Sequence, residues 1–315
     1  MKKVWFLLLL ITLPGANLTA AETKTSLTIA TGGVAGIYYP LGKGIAGLLT
    51  KHVPGLEVKA VSSGASAANI NLIARHEAAL ALVQNDAAFR MAGNAKPVKN
   101  LRMIASLYPE HVQFITSSAS GIKTFRDIKG KRISIGAPGS GTADSVSAIF
   151  SAAGLRPDID FKADRLDFND TAERIQDDQL DGGFVLAGYP TPAVTALFAQ
   201  KDISLVSFDD ELLNNLVENY PYFTKDVIPV GAYIGMDRDI PTPAVMAVLV
   251  CDSELADDLV YNITKALFEN LAELAPVHDK AKLIAPGKAL TAAAITVHPG
   301  AAKYYTEKGL EVPAF

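Results

Sequence analysis

The feature that most constrains the fold is a strand–turn–helix unit that recurs along the chain. Apolar, β-rich runs at Leu56–Val61 and Ala79–Val83 are followed by helical patterns at Ser66–His76 and Asp86–Ala92. Alternation of this kind is typical of parallel sheets with helices on both faces. The sequence therefore predicts an α/β protein.

These units form two series. The first runs from a strand at Ser26–Thr31 to two strands at Leu101–Leu107 and Val112–Thr116. The second begins after Ser117. It ends with a strand at Val227–Ile234, along which the chain leaves this series.

The last part of the chain adds one strand and two helices. The strand is predicted at Met246–Cys251, and a long helix at Ser253–Leu274 follows, with Ser253 as its N-cap. A final helix is expected near Pro299–Lys308.

A chain of 315 residues is long for one core and suits two domains. No low-complexity linker or charge block separates the two series, so we expect two lobes joined by strands. Residues 22–115 and 230–315 are assigned to lobe I, and residues 116–229 to lobe II.

The N-terminus has the pattern of a secretory signal peptide over residues 1–21. Lys2 and Lys3 precede the apolar run Val4–Leu13, and small residues follow, so cleavage is expected after Ala20 or Ala21. The apolar run is too short to span a bilayer as a helix. We therefore expect an exported, soluble protein.

Charge and reactive side chains exclude several classes of function. A net charge of −4 disfavours nucleic acid and anionic lipid, so an anionic ligand would need a local site. The single cysteine, Cys251, lies in an apolar run and is expected to be a buried small hydrophobe. The five histidines show no metal-ligand spacing, so no catalytic residue, metal or cofactor is predicted.

Several strands end in turns of small residues that open a helix. These turns are Thr31–Gly36, Ser62–Ser66, Gln84–Asp86, Gly136–Thr142 and Gly188–Thr191. The first turn of a helix carries unpaired N–H groups and a partial positive charge, and glycine lets a ligand approach the backbone. Ligands of open α/β sheets lie beyond the carboxyl ends of the strands.

These turns together predict a cleft that holds a small anion without an arginine. Each turn alone is equally compatible with an ordinary connection. Gly136–Thr142 lacks the lysine of a phosphate-binding loop, and Thr31–Gly36 is not a dinucleotide fingerprint. Tyr38, Tyr39 and Tyr108 could line the cleft or simply pack in the core.

Longer stretches of the chain resemble the TAXI branch of TRAP-transporter substrate-binding proteins. They occur in the family's order over most of the chain, as Thr31–Gly42, Ala79–Ala88, Leu101–Gln113, Asp127–Thr142 and Gly188–Val194. The resemblance implies the type II periplasmic-binding-protein fold, with a ligand held between two closing lobes. It also implies a periplasmic receptor that delivers a small carboxylate, such as glutamate or 2-oxoglutarate, to a TRAP-type membrane permease.

The resemblance also implies which residues contact the ligand. By position these are Gly33, Tyr38, Tyr39, Ser62, Gln84, Asp86, Ser106, Tyr108, Gly139, Ser140, Gly141, Thr142, Gly188 and Pro190. Ala35 and Ile37 depart from some members, which leaves the ligand's identity open. Asp86 either accepts from an amino group or serves its helix as an N-terminal aspartate.

Two other functions remain compatible with the sequence. A ligand sensor that docks on a membrane kinase would share the fold, and a secreted enzyme on a two-lobed scaffold would convert its ligand. Turnover separates the enzyme from a receptor. A monomer that does not bind nucleic acid is expected in each case.

Overall fold

The computed structural model describes residues 24–93 and 97–314. The predicted signal peptide, residues 1–21, lies outside the described residues. Within the described part, none of the helices combines the length and the apolar character needed to cross a bilayer.

Strands and helices alternate over most of the described chain. The strands are β1 Thr25–Ala30, β2 Leu56–Val61, β3 Leu80–Gln84, β4 Leu101–Ser117, β5 Arg132–Ser134, β6 Lys162–Asp164, β7 Gly182–Ala187, β8 Ile203–Val206, β9 Thr224–Ile228 and β10 Ile240–Asp252. The α-helices are α1 Tyr38–His52, α2 Ser66–Ala74, α3 Asn85–Ala92, α4 Gly141–Ala152, α5 Phe168–Gln176, α6 Pro192–Gln200, α7 Asp210–Asn219, α8 Asp257–Glu269 and α9 Pro299–Glu307. The predicted α/β class is confirmed.

The strands form one mixed sheet in the order β2-β1-β3-β10-β4-β7-β5-β6, with β8 on β4 and β9 on β10. The flanks are parallel, because β1 pairs in parallel with β2 and β3, and β5 pairs in parallel with β6 and β7. The two long strands β4 and β10 pair with each other in antiparallel register.

These two long strands join the two halves of the molecule. The first half of β4 pairs with the second half of β10, while residues 111–117 of β4 pair with β7 and β8. Residues 240–244 of β10 pair with β9. Each long strand therefore passes from one flank of the sheet to the other.

The buried apolar side chains divide in the same way. Two clusters draw on residues up to Tyr108 and from Ala247 onward, and two draw on residues from Val112 to Val245. The division defines two lobes, called lobe I and lobe II below. The boundaries at residues 115 and 230 stay a prediction. Cys251 is buried in lobe I, and burial raises the pKa of its thiol.

Three predicted strand boundaries were wrong. The strand predicted at Met246–Cys251 begins at Ile240 instead. The strands predicted at Leu101–Leu107 and Val112–Thr116 are one continuous strand, in which Pro109 stays in register with Met246 and the register against β10 shifts between Ser106 and Tyr108. The strand predicted at Val227–Ile234 ends at Ile228, because Pro229 begins a turn closed by the Ala232 N–H on its carbonyl.

Two helix predictions also need correction. The long helix predicted from Ser253 begins at Asp257 instead, because Ser253 and Glu254 belong to a turn in which Asp252 Oδ1 accepts from the Glu254 N–H. Helix α7 was not predicted. Its signals are the Asp209 cap, which accepts from the Leu212 N–H at 2.8 Å, and a leucine face.

Candidate ligand-binding site

Turns from both lobes meet around one cavity of about 270 Å³, called the cleft below. It lies beyond the carboxyl ends of the parallel strands, as the strand-end turns predicted. Lobe I contributes Gly32–Tyr38 before α1, Ser63–Ser66 before α2, and the side chains of Gln84 and Glu110. Lobe II contributes Ser140–Thr142 at the start of α4 and Asp167–Asn169 at the start of α5.

The turn before α4 is built around its cap. Ser140 Oγ accepts from the Ala143 N–H at 3.1 Å and donates to the Ala137 carbonyl at 2.7 Å. Gly136 has φ +94°, and a Cβ there would lie 2.7 Å from the Ala143 nitrogen. Glycine is therefore required at 136 for the turn to place Gly141 at the cleft.

Gly141 lies very close to the opposite lobe. A Cβ at this position would lie 1.8 Å from Gln84 Oε1 and 2.7 Å from Ser66 Oγ, both in lobe I. The start of α4 can approach lobe I this closely only because residue 141 has no side chain.

The lobe I side of the cleft is held by side-chain bonds between neighbouring turns. Asn69 Nδ2 donates to the carbonyls of Thr31 at 2.5 Å and Leu82 at 2.7 Å, which ties the ends of β1 and β3 together. Ser66 Oγ accepts from the Gln84 N–H at 3.1 Å. The turns before α1, α2 and α3 are thus fixed relative to one another.

Glu110 is a carboxyl group in the cleft that sequence reasoning missed. It lies on β4, is 2% exposed, and accepts from the Tyr38 hydroxyl at Oε2 over 2.9 Å. Burial raises the pKa of Glu110 to about 8, and hydrogen bonds from Tyr38 and Gln84 only partly offset this. Burial also raises the pKa of Tyr38 and Tyr108, with the nearby Glu110 carboxyl adding to both increases.

The turn before α5 was also missed. Asp167 caps this helix, since its Oδ1 accepts from the Asp170 N–H at 2.9 Å. The Phe168 ring lies 3.4 Å from the position that a Cβ of Gly36 would take, so this aromatic side chain packs against the lobe I turn. The available signal was an aspartate just before a helical pattern.

The charges around the cleft are unusual for an anion site. Among the described residues that line it, Glu110 and Asp167 are acidic and none is Lys, Arg or His. The N-terminal ends of α1, α2, α4 and α5 all face it, and each brings unpaired N–H groups and a partial positive charge. The positive contributions to the potential in the cleft therefore come from the backbone.

Six of the predicted ligand contacts line the cleft. They are Gly33, Tyr38, Gln84, Ser140, Gly141 and Thr142. Direct contact with a ligand stays a prediction for these residues and for the others named from the resemblance.

The other eight predicted residues are not part of the lining. Ser62 donates to the Gly32 carbonyl at 2.9 Å, and Ser106 donates to the Thr291 carbonyl at 2.5 Å. Tyr39 is half-buried, with Lys43 Nζ 5.7 Å from its ring centroid.

Three more of these residues lie where the lobes touch behind the cleft. Tyr108 is fully buried, and a Cβ at Gly188 would lie 3.2 Å from its ring. The Pro190 carbonyl is 3.0 Å from His278 Nε2.

Asp86 and Gly139 take part in contacts between the lobes instead. Asp86 Oδ2 accepts from Arg90 at 2.8 Å and from Ser145 Oγ at 2.5 Å. The Gly139 carbonyl accepts from the Ala68 N–H at 3.2 Å. Oδ2 of Asp86 is thus committed to an ion pair and to lobe II, whereas its Oδ1 is buried without a hydrogen-bond partner among the described residues. Asp86 also lies in the first turn of α3.

Comparison with known proteins places the fold. The model of the NMT1-like family matches residues 29–309. A binding protein component of an ABC phosphonate transporter from Pseudomonas aeruginosa is 13% identical, with a TM-score of 0.53 over 82% of this chain and 79% of that one. The alkanesulfonate-binding protein SsuA from Xanthomonas axonopodis pv. citri, bound to MOPS, is 16% identical, with a TM-score of 0.51 over 92% and 94%.

A substrate-binding protein of an amino acid ABC transporter gives the same TM-score of 0.51 at 13% identity, over 81% of this chain and 98% of that one. At these identities the likeness concerns the fold alone. The expected two-lobed type II periplasmic-binding-protein fold is thereby confirmed.

Proposed function

This chain belongs to the NMT1-like family, and we propose that it is an extracytoplasmic solute receptor that holds a small carboxylate between its two lobes. The observation that carries the proposal is the convergence of four helix N-termini from both lobes on one cleft. Backbone N–H groups at helix starts bind carboxylates without a cationic side chain.

The size of the cleft favours a small ligand. Its volume of about 270 Å³ lies just below the range of small-molecule sites, which is about 300–1,000 Å³. Carboxylates of four or five carbons, such as glutamate or 2-oxoglutarate, are therefore the proposed ligands. A receptor role further proposes that the ligand leaves unaltered, which distinguishes it from a secreted enzyme.

Contacts across the cleft support closure around a ligand. Arg90 Nη2 of lobe I lies 3.3 Å from Asp144 Oδ2 of lobe II, and the Ala193 N–H of lobe II donates to the Ala35 carbonyl at 3.2 Å. These bonds join the lobes at two separate places. We infer that a ligand bound at the helix starts of both lobes stabilises this closed arrangement.

The proposed partner is a TRAP-type permease driven by an ion gradient, with the receptor in the periplasm. This part rests on the resemblance to TAXI proteins in the stretches that form the cleft, Thr31–Gly42 and Asp127–Thr142 above all. A second candidate is the receptor of an ABC transporter, because the similar solved structures carry that description.

Thermal denaturation tests the ligand class. A ligand that binds only the folded state raises its stability by about 2.7 kcal/mol at a concentration of 100 Kd. We expect the mature protein to melt at a higher temperature with C4 or C5 dicarboxylates or acidic amino acids, and not with matched uncharged amides. No shift with any carboxylate at millimolar concentration would contradict the proposal.

Proteoliposomes test the partner. The receptor is added to vesicles that contain the candidate permease, and uptake of labelled ligand is measured with a sodium gradient or with internal ATP. Uptake that needs the gradient and not ATP is expected. Dependence on ATP would favour the ABC candidate instead.

A further inference from the structure

The lining of the cleft carries two kinds of polar group. N–H groups lie at the helix starts, and the lining also holds the Glu110 carboxyl and the Gln84 amide, which are 2% and 3% exposed. Gln84 Oε1 is buried without a hydrogen-bond partner among the described residues. A buried acceptor without a donor is costly, so this part of the lining is prepared for a group that donates.

The electrostatics of the cleft point the same way. A dicarboxylate that filled it would keep Glu110 protonated and would form no ion pair there, and the described lining residues include no Lys, Arg or His that could pair with it. A ligand with an ammonium group can instead place that group at Glu110 and its carboxylates at the helix starts. This arrangement pairs each ligand charge with an opposite potential.

We infer that Glu110 receives the amino group of the ligand, so that the receptor binds an acidic amino acid in preference to the corresponding keto acid. This assignment rests on the proposed function as a carboxylate receptor. Glu110 becomes the residue that determines specificity, and Tyr38 positions it through the 2.9 Å bond to Oε2.

The inference predicts that ligand binding changes the protonation of Glu110. The groups that face Glu110 are Tyr38 on α1, Tyr108 on β4, and Asp86 on α3 with its partner Arg90. Because burial and Asp86 keep the pKa of Glu110 near 8, this carboxyl is largely protonated at pH 7 in the empty cleft. An arriving ammonium group lowers the pKa, so binding of an amino acid releases a proton, whereas binding of a keto acid does not.

Calorimetric titration at pH 7 in two buffers of different ionisation enthalpy tests this. The ligands are L-glutamate, 2-oxoglutarate and glutarate, which differ only at the carbon that carries the amino group. We expect the wild-type protein to bind L-glutamate about tenfold or more tightly than the other two and to release a proton. We expect Glu110→Gln to lower that preference by about 10- to 100-fold and to abolish the release.

The control is Asp252→Asn, which removes a buried carboxylate far from the cleft. We expect it to lower the melting temperature and leave the ratio of affinities unchanged. Asp252 is 5% exposed and bonds to His76 and Asn100. A change of the ratio equal to that of Glu110→Gln would overturn the assignment to Glu110.

The outcomes separate the two levels of the proposal. Equal affinity of the wild-type protein for all three ligands, or an amino acid that binds without proton release, overturns this inference and leaves the carboxylate receptor standing. Binding of none of the three overturns both. The proton release is measured on the wild-type protein, so it decides the point even where the Glu110 variant does not fold.

Discussion

At the scale of single residues, Gly141 allows the two lobes to approach each other at the cleft. Its missing side chain leaves room for Gln84 and Ser66 of the other lobe. A Cβ there meets atoms of lobe I only, so it opposes closure more than folding. Overpacking typically costs about 1–3 kcal/mol.

We therefore predict that Gly141→Ala weakens ligand binding by about tenfold or more with little change in the free energy of unfolding. Calorimetric titration and urea unfolding measure the two quantities. Gly47→Ala is the matched control, because a Cβ at this exposed helical position meets nothing within 4 Å. Unchanged affinity in Gly141→Ala would show that this turn is merely a connection.

Glu110 gives a second prediction at this scale, on pH and stability. Its pKa is raised from 4.5 to about 8 in the folded protein, so the folded state binds the proton more tightly than the unfolded state does. The stabilisation is therefore complete below about pH 4.5 and is lost as the pH rises to about 8. Each tenfold difference in proton affinity corresponds to about 1.4 kcal/mol, so the loss is on the order of a few kcal/mol.

The measurement is urea unfolding of the wild-type protein and Glu110→Gln at pH 5 and pH 8.5. The wild-type protein should lose more stability between these values than the variant. The difference between the two proteins removes the contribution of the histidines, which titrate in both. Parallel curves would mean that Glu110 is ionised in the folded state throughout.

Glu110 also shows where residue-level prediction from sequence stops. The glycines and hydroxyls of the turns at 31–36 and 136–142 could be recognised, because their residue types match the backbone they must form. The residue type of a single glutamate in a strand does not indicate its role in this way. Only the register of β4 against its neighbours shows that residue 110 faces the cleft and not solvent.

At the scale of elements, local start signals located some helices and misplaced others. Helix α6 was predicted with its observed bounds, Pro192–Gln200, because proline marks its first turn. The start of α8 was misplaced since Ser253 belongs to a turn, and the helix begins after Ala256 without a side-chain cap. Both sequences contain residue types that are common at helix starts. At Ser253 the turn made by Asp252 prevents the helix from beginning there.

Two caps of the same kind give a prediction at this scale. Ser140 caps α4 at the cleft, and Asp209 caps α7 away from it. Replacement of either by alanine should cost about 0.5–2 kcal/mol of stability. We predict that only Ser140→Ala also weakens ligand binding, since α4 presents its first turn to the cleft.

Chemical unfolding and calorimetric titration of both variants provide the check. Asp209→Ala serves as the control for a general loss of stability. If the two variants lowered affinity equally, the position of α4 at the cleft would have no special importance.

At the scale of the whole molecule, the recurring strand–turn–helix units were enough to predict two α/β lobes and turns that meet between them. That strands join the lobes was expected, but which strands do so and how they pair could not be foreseen. The pairing of residues 111–117 with β7 and β8 depends on contacts between segments far apart in sequence. One long strand spans the break predicted between Leu107 and Val112, and Pro109 pairs with Met246 within it.

The central claim is that a small carboxylate binds between the lobes at the helix starts. A crystal structure of the mature protein with the tightest ligand of the thermal panel tests it most directly. We predict ligand carboxylate oxygens about 3 Å from the N–H groups of Gly141 and Thr142, with Glu110 beside the amino group of an amino acid. A ligand bound outside the cleft, with these N–H groups unoccupied, would contradict the account.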